Sequence, residues 1–374
     1  MAAQILLPGR AEPTTVPAPG WSESYPPPVT RHVYAAAHVA AFPDGTIDWE
    51  STIAFREHLW RYGFAVAEAM DTAQRGMGLS FDLARELIGR SARRAEDLGT
   101  AIAAGAGTDQ LPAGPHSLAV IIGAYEQQLA LVQGAGAEVI LMASRALAAS
   151  ARSASDYLEV YGQLLKLAER PVILHWLGEA FDPALRGYWG SEDFGAAADA
   201  VLDLIDRGDG QVRGIKLSVL NADSERALRR RLPEGVRLYT GDDFNYAELI
   251  RGDSDGHSDA LLGAFAAIAA PAAAALDALD ADDLAGYDAA IGPTVALSRM
   301  IFEEPTFNYK AGVAFLAWLG GLQPHFAMLD GLHERRTATH LARVFELAAA
   351  ARALPRPDVA VERMAEYLAR TARA

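Results

Sequence analysis

Eight short apolar segments alternate along this chain with longer segments of helical periodicity. The apolar segments span residues 33–42, 63–70, 98–107, 137–144, 170–178, 212–218, 236–243 and, most weakly, 258–267. They are apolar throughout rather than alternating, which is typical of parallel strands covered on both faces. Eight strands, each followed by a crossover helix, predict an α/β fold, a closed (β/α)8 TIM barrel rather than an open doubly wound sheet.

The helical segments have recognisable ends. The segment "DWESTIAFREHLWRYG" offers Asp48 or Asp44 as its N-cap. This segment and "SFDLARELIGRSARRAEDLG" both end on a glycine suited to the left-handed conformation. No strand is expected after Pro271, where the pattern predicts four or five helices. We therefore expect a barrel at 31–290 and a C-terminal helical extension at 291–374.

The first 30 residues hold seven of the 19 prolines and are expected to form an extended arm. Such an arm lies on a domain surface or on a neighbouring subunit.

Composition excludes several classes of function. The 374 residues include no cysteine, so disulfides, thiolate zinc sites and thiol nucleophiles are excluded. A net charge of −15 argues against nucleic acid or an anionic membrane as a partner. No uncharged apolar stretch reaches the roughly 20 residues that span a bilayer, and the N-terminus does not resemble a signal peptide. We expect a cytoplasmic protein that binds neither nucleic acid nor membrane.

In a (β/α)8 barrel, the residues that perform chemistry lie at the C-terminal ends of the strands. Thirteen residues at the predicted strand ends are expected to meet at one mouth of the barrel. They are His38, Glu68, Asp71, Thr72, Ser144, Arg145, His175, Trp176, Glu179, Lys216 and Gly241-Asp242-Asp243.

Lys216 is unusual in this chain. Only three of the 33 basic residues are lysines, and Lys216 interrupts the apolar strand "VRGIKLS". A snorkelling side chain or a buried ion pair is the simpler interpretation, but arginine would serve an ion pair as well. Lysine alone can lose its proton, because burial disfavours the ammonium form, and then form a Schiff base with a carbonyl group. Lys166 is expected to be solvated on a helix, and Lys310 to begin a C-terminal helix.

Two further strand ends carry weaker signals. His175 ends the strand that precedes the lysine strand and could move protons beside Lys216, although a lone histidine in an apolar strand is more often a core residue. The Gly241–Asp243 turn follows the next strand, and a Gly-Asp turn is common in loops. Glu68 and Asp71 could form an acid–base pair, bind a metal, or cap a helix.

Several segments together resemble the dihydrodipicolinate synthase and N-acetylneuraminate lyase superfamily. They are "AAFPDGTIDWESTIAFREHLWRYGFAVAEAM", "RPVILHW", "VRGIKLS", "LYTGDD" and "EEPTFNYKAGVAFLAWLGG", and they occur in the family's order between about residues 33 and 325. The resemblance implies a class I aldolase or hydro-lyase on a TIM barrel, often a homotetramer, acting on pyruvate or a sugar-derived 2-oxo acid. On this resemblance, Lys216 matches the imine-forming lysine.

The sequence departs from the family pattern around the substrate. His175 stands where the family has a proton-relaying tyrosine. The family's Gly-Thr-Thr-Gly-Glu segment is replaced by "MDTAQRGMGLS", in which Thr72 matches the first threonine and Ala73 the second. The synthase's carboxylate-gripping arginine has no counterpart. These differences indicate a divergent member that is not dihydrodipicolinate synthase itself, and they leave pyruvate in question.

The leading hypothesis is a Schiff-base lyase, an aldolase or hydro-lyase acting on a 2-oxo acid or keto-sugar-derived substrate. In this hypothesis Lys216 forms the imine and His175 relays protons, with neither a metal nor another cofactor. The residues expected to orient the substrate are Glu68, Asp71, Thr72, Gly241, Asp242 and Asp243. The enzyme is expected to take a small carbonyl compound and to form a homo-oligomer, a dimer or tetramer.

Two alternatives remain open. One is a sugar isomerase or epimerase in which Glu68, His175 and Asp242 or Asp243 bind a divalent metal. The other is a barrel that has lost catalysis and serves as a binding module.

Overall fold

The computed structural model describes residues 3–372, and within that range it contains a closed eight-stranded barrel. A small antiparallel hairpin precedes the barrel strands. The strands are β1 (Ala3–Ile5), β2 (Thr14–Val16), β3 (Val33–Ala36), β4 (Ala65–Glu68), β5 (Ile102–Ala106), β6 (Glu138–Leu141), β7 (Val172–Leu177), β8 (Val212–Ser218), β9 (Arg237–Thr240) and β10 (Asp259–Leu262). Around the barrel the order is β10-β3-β4-β5-β6-β7-β8-β9. The predicted (β/α)8 barrel is confirmed.

Helices follow the barrel strands and continue beyond the last of them. They are α1 (Trp49–Arg61), α2 (Phe81–Leu98), α3 (Leu118–Gly134), α4 (Arg145–Ser150), α5 (Ala154–Leu167), α6 (Phe194–Arg207), α7 (Ala222–Arg229), α8 (Tyr246–Arg251), α9 (Ala264–Ala267), α10 (Ala269–Asp280), α11 (Leu284–Ile301), α12 (Tyr309–Leu319), α13 (Ala338–Ala350) and α14 (Pro357–Thr371). C-terminal helices are therefore present after the last barrel strand, as predicted, and α10 contains Pro271. No helix in the described range is both long and apolar enough to cross a membrane.

The predicted helix ends are confirmed in α1 and α2. Asp48 caps α1 by accepting a hydrogen bond from the Ser51 amide at 3.0 Å, whereas Asp44 accepts one from Thr46 inside its own turn. At the C-terminal end of α2, Gly99 adopts the left-handed conformation with a φ of +64°. A residue with a Cβ would be strained there.

The barrel strands are mostly shorter than the apolar segments that predicted them. The segment 33–42 forms a strand only at Val33–Ala36, and the segment 63–70 only at Ala65–Glu68. The residues after each strand are buried nonetheless; Ala40 and Met70, for example, are each at most 2% exposed. Apolar character therefore continues into the loops at the C-terminal ends of the strands, because those loops are packed.

Contacts divide the chain into two compact units. The first unit comprises the chain up to Val66, the segment Thr72–Gly78 and the chain from Leu262 onward. In it, the hairpin packs on α13 and α14, and α11 packs on α10 and α13. The second unit comprises Ala67–Asp71 and Leu79–Leu261. Its core lies between the central barrel strands and helices α2 to α8, with α5 between α3 and α6.

Candidate active site

A bulge between strands β7 and β8 of the second unit determines which residue of β8 pairs with His175. Val172 pairs with Val212, but the next residue, Ile173, pairs with Gly214, so that one residue of β8 is skipped. The register after the bulge places His175 directly beside Lys216. Without the skipped residue, His175 would pair with Ile215, and the lysine side chain would point to the opposite side of the sheet.

Lys216 and His175 point towards the interior of the barrel. Trp176, the next residue along β7, stacks on Phe194 of α6, with ring centroids 5.0 Å apart. Trp176 therefore faces the helix layer, and because side chains alternate along a strand, His175 faces the other way. Lys216, paired with His175 in the parallel register, shares its face.

Burial lowers the pKa of Lys216. The side chain is 5% exposed, and removal from water is the largest influence on its amine, disfavouring the ammonium form. The carboxylates of Asp71 and Asp243 act against burial and raise the pKa. The net shift is downward from the ordinary lysine value of 10.5. The fraction of neutral, nucleophilic amine at a given pH is therefore larger than for a solvated lysine.

His175 is a neutral imidazole at physiological pH. It is 1% exposed, and burial lowers its pKa well below 6.5; the charge of Lys216 lowers it further, whereas Asp71 raises it. Its Nε2 lies 3.4 Å from the Ser218 hydroxyl. Its Nδ1 is buried and has no hydrogen-bond partner in the part of the chain that the structure describes. A neutral ring with an unpartnered nitrogen can exchange a proton with a molecule bound beside it.

Asp71 and Asp243 reach Lys216 from loops at the ends of β4 and β9. Asp71 is half-buried and follows a sharp turn in which Ala69 has a φ of +51°, an uncommon conformation for a residue with a Cβ. Asp243 is 3% exposed and ends the Gly-Asp-Asp turn. Both carboxylates interact electrostatically with the lysine amine. Four sequence-predicted residues, these two with Lys216 and His175, are therefore brought together.

Gly241 allows the turn after β9 to pack directly against Lys216. A Cβ at this position would lie 2.1 Å from Ser218 Oγ, 2.9 Å from the Leu217 carbonyl oxygen and 3.0 Å from Lys216 Cε. Real Cβ atoms do not approach other atoms to 2.1 Å. The role of Gly241 is therefore close approach, which brings Asp243 towards the amine.

Glu68 and Asp242 are engaged within the protein. The Glu68 carboxylate accepts hydrogen bonds from the Ser91 hydroxyl at 2.5 Å and from the Ala69 amide at 2.8 Å. Asp242 accepts from the amides of Phe244 and Asn245 and from the Asn245 side chain, at 2.8–3.0 Å. Burial raises the pKa of Asp242. These hydrogen bonds stabilise the conformations of the loops after β4 and β9.

The remaining candidates form contacts with other residues of their own unit. In the first unit, Thr72 Oγ1 lies 2.7 Å from the Tyr309 hydroxyl, and His38 Nε2 lies 2.7 Å from Gln323 Oε1. In the second unit, Ser144 caps α4 by accepting from the Leu147 amide at 3.0 Å. Arg145 pairs with Asp182 at 2.5 Å. Lys166 is exposed, as expected, and Lys310 begins α12 but is 3% exposed.

Ser218 is a site residue that the sequence pattern does not single out. It is 1% exposed and contacts both His175 and the Gly241 turn. The available signal was its spacing, because residues two apart on a strand share a face. Ser218 is two residues after Lys216.

The metal-binding alternative has no assembled ligand set among the described residues. Among residues 3–372, no three or more histidine, aspartate or glutamate side chains are grouped so that they could hold a metal ion. Glu68 and Asp242, two ligands of that hypothesis, form the hydrogen bonds described above.

A cavity of about 370 Å³ lies in the second unit, at the ends of β7 and β8. Gly178 and Val219, which directly follow these strands, contribute to its lining together with Trp176 and Phe194. Its polar residues are Glu179, Arg186, Ser191, Glu192, Asn221 and Ser224. The cavity therefore combines an aromatic wall with hydrogen-bonding groups, as small-molecule sites commonly do.

Comparison with protein families gives a match over nearly the whole chain. The family described as "Protein of unknown function (DUF993)" matches residues 9–372. The chain belongs to this family. No curated protein sequence matches it significantly.

Solved structures with the same fold include dihydrodipicolinate synthase from Aquifex aeolicus, at 15% identity and a TM-score of 0.67, covering 87% of this chain and 99% of that one. YagE, a prophage protein of the dihydrodipicolinic acid synthase family from E. coli K12, was solved in complex with pyruvate; it is 16% identical with a TM-score of 0.66, covering 86% and 99% of the two chains. The chloride-inhibited synthase from Acinetobacter baumannii, complexed with pyruvate, is 17% identical with a TM-score of 0.63, over 86% and 99%. The resemblance seen in the sequence is confirmed at the level of the fold.

Proposed function

We propose that this DUF993 protein is a Schiff-base lyase, an aldolase or hydro-lyase whose imine forms on Lys216. The observation that carries the proposal is a buried lysine amine, paired in register with a neutral histidine and attracted by two carboxylates. Two structures of the same fold were solved with pyruvate, a small carbonyl compound. A carbonyl substrate that condenses with an amine is consistent with both facts.

The first half of the reaction joins the substrate to the enzyme. The neutral Nζ of Lys216 attacks the carbonyl carbon, and one proton passes from the nitrogen to the former carbonyl oxygen to give a neutral carbinolamine. A second proton on that oxygen lets it leave as water, while the nitrogen lone pair forms the carbon–nitrogen double bond. The iminium nitrogen carries a positive charge, which the carboxylates of Asp71 and Asp243 stabilise.

The second half uses the iminium as an electron sink. When a carbon–hydrogen or carbon–carbon bond next to the iminium carbon breaks, its electron pair moves towards the nitrogen and forms a neutral enamine. His175 accepts or returns the proton, because its ring is uncharged and one nitrogen has no partner in the described chain. Ser218 orients that ring through the contact at Nε2. No step requires an organic cofactor.

Borohydride trapping tests the proposal. Borohydride adds hydride to an iminium carbon and converts the imine to a stable secondary amine, so the protein gains the mass of the substrate less one oxygen atom. A panel of 2-oxo acids and keto-sugars should include a compound that gives this mass gain in the wild type and none in Lys216→Ala. Lys166→Ala is the matched control, because Lys166 is exposed and should leave trapping unchanged. An adduct that persists in Lys216→Ala contradicts the mechanism.

A further inference from the structure

Ser218 lies on the interior face of β8, beside the imidazole ring of His175. It is 1% exposed and comes two residues after Lys216, so the two side chains share one face of the strand. Its Oγ lies 3.4 Å from His175 Nε2. Gly241 packs against the same oxygen so closely that a Cβ there would lie 2.1 Å from it. The hydroxyl is therefore enclosed between the glycine turn and the ring.

The two nitrogens of the His175 ring differ in their surroundings. Among residues 3–372, Nε2 has the Ser218 hydroxyl as its hydrogen-bond partner, whereas Nδ1 has none. Within the same range, the Ser218 hydroxyl forms no other hydrogen bond. Nδ1 is therefore the nitrogen left for a substrate, and Nε2 is the nitrogen that the protein contacts.

Proton transfer to His175 changes the charge of the ring. In the proposed mechanism, Nδ1 takes a proton from the carbon next to the iminium carbon. The electron pair of that carbon–hydrogen bond forms a carbon–carbon double bond, and the π pair of the iminium becomes a lone pair on Lys216 Nζ. The single positive charge thus passes from the lysine nitrogen to the ring, and no co-reactant is needed. The resulting imidazolium carries a hydrogen on each nitrogen.

These two hydrogens need different acceptors. The hydrogen on Nδ1 faces the enamine that released it, whereas the hydrogen on Nε2 needs an acceptor in the protein. A buried charged donor without an acceptor is costly, and hydrogen bonds to charged groups are stronger than those between neutral groups. Ser218 Oγ is the acceptor beside Nε2. A hydroxyl also donates, so the same oxygen serves the neutral ring when its Nε2 carries no hydrogen.

We propose that Ser218 is a positioning residue for proton transfer, whose hydroxyl oxygen accepts the Nε2 hydrogen of protonated His175 and so enables Nδ1 to act as the base. This inference rests on the proposed Schiff base and gives Ser218 a part in one step of the reaction, beyond orienting the ring. The Ser218 hydroxyl should therefore contribute to proton transfer but not to the extent of imine formation, because the imine forms on Lys216.

Two measurements on one substrate separate these steps. The substrate is a compound from the panel that is trapped on Lys216 and has hydrogens on the carbon next to its carbonyl group. Borohydride trapping after equilibration measures the imine. Exchange of those hydrogens for deuterium in D2O, followed by NMR and corrected with Lys216→Ala, measures proton transfer through the enamine. The exchange rate divided by the trapped fraction then measures proton transfer for each imine formed.

In Ser218→Ala, we expect this ratio to fall about tenfold or more, because a hydrogen bond to a charged group is lost, with the trapped fraction within about twofold of wild type. Ser258→Ala is the matched control and should keep the wild-type ratio. Ser258 is a fully buried serine of the same unit, and its hydroxyl contacts Glu225 instead of the ring. Circular dichroism verifies folding, and Ser218→Cys, whose sulfur is a weak acceptor, replaces the alanine variant if that variant does not fold.

A double variant shows whether Ser218 acts through His175. His175→Gln should lower the ratio to a residual value, because the base is lost. Adding Ser218→Ala to His175→Gln should lower that residual value by less than about twofold, because two residues that act as one unit are not additive.

The outcomes separate this inference from the Schiff base. A ratio that Ser218→Ala leaves unchanged, or a tenfold fall that recurs in the His175→Gln protein, overturns the inference and leaves the Schiff base standing. Equal loss of trapping and exchange in Ser218→Ala also overturns it, because Ser218 would then support the structure of the site and not proton transfer. If no panel compound is trapped on Lys216 of the wild type, the Schiff base fails and this inference fails with it.

Discussion

At the scale of single residues, two opposing influences set the pKa of Lys216. Burial lowers its pKa, whereas Asp71 and Asp243 raise it. A fully buried lysine without those carboxylates would be neutral over a wider pH range but could not stabilise the iminium that it forms. The carboxylates therefore reduce the fraction of neutral amine, but they stabilise the charged iminium.

Asp71→Asn should move the pH dependence of imine formation. The carboxylate favours the ammonium form, so its removal lowers the pKa of Lys216 further, and the rising limb of the trapping rate against pH should shift to lower pH. The maximal rate should fall by about tenfold or more, because one stabilising charge on the iminium is lost. The measurement is the initial rate of borohydride-dependent mass gain between pH 6 and 10. A limb that moves to higher pH, or does not move in a folded variant, would show that Asp71 does not act on the amine.

At the scale of elements, the loops after β8 and β9 make the site by close packing. The bulge in β8 pairs Lys216 with His175. Gly241 allows the turn after β9 to pack against the Lys216 side chain. Gly214 in the same strand has a matching role, because a Cβ there would lie 2.6 Å from Tyr239 Cε2 and 2.7 Å from the Arg237 carbonyl oxygen. These glycines are needed for contact between neighbouring strands.

Gly241→Ala should disrupt the site through a steric clash. The added methyl group meets Ser218 Oγ and the Leu217 carbonyl, so the turn must move away from Lys216. We expect a loss of about 1–3 kcal/mol in the free energy of unfolding and a strong loss of trapping. The matched variant is Gly241→Ala combined with Ser218→Gly, which removes the closest contact and should recover part of the stability. Equal stability of wild type and Gly241→Ala in urea denaturation would contradict the packing described.

Glu225 connects α7 to the end of β9 and to Ser258, the residue that precedes β10. Its carboxyl contacts the Thr240 hydroxyl at 3.0 Å and the Ser258 hydroxyl at 2.7 Å, and burial raises its pKa to about 8. Because the folded state holds this proton more tightly than the unfolded state, its contribution to stability is complete below the unfolded pKa and is lost as the pH rises through about 8.

Glu225→Gln should therefore remove the pH dependence that Glu225 gives to the free energy of unfolding. The free energy of unfolding of the wild type should fall from pH 5 to pH 9 by several kcal/mol relative to the variant. An amide resembles the protonated carboxyl, so the variant should be the more stable protein at pH 9. Parallel urea denaturation of the two proteins across this range checks it, and curves that stay parallel would contradict the raised pKa.

At the scale of the whole molecule, the regular parts of the fold could be predicted from sequence and the irregular parts could not. Eight apolar segments and capped helices predict the barrel, because each signal is local. The β8 bulge depends on how β8 meets its neighbours, and it decides that Lys216 faces His175. Thr72 matches the family's first threonine in sequence, and its hydroxyl lies 2.7 Å from that of Tyr309; its role towards a substrate stays a prediction. The role of Ser218 required knowledge of which face of β8 is internal.

The N-terminal segment is expected to stabilise the first unit without affecting Lys216. Trp21 donates a hydrogen bond from its indole nitrogen to the Arg352 carbonyl at 2.9 Å, and Arg10 pairs with Glu346 at 2.5 Å. Trp21→Ala should lower the free energy of unfolding by about 1–2 kcal/mol. Borohydride trapping by the folded variant should match the wild type, since the groups that act on Lys216 lie in the second unit. Loss of trapping in a variant that remains folded would contradict this expectation.

The predicted homo-oligomer of two or four chains stays a prediction, for which light scattering of the purified protein is the measurement.

The most direct test of the Schiff-base proposal is to locate the trapped substrate on the chain. The protein is incubated with a carbonyl compound that gives the intact-mass gain, reduced with borohydride and digested, and its peptides are sequenced by mass spectrometry. We expect one modified residue, Lys216, in the peptide that contains "GIKLS", with Lys166 and Lys310 unmodified. A modification spread over all three lysines, or confined to Lys166 or Lys310, would contradict it.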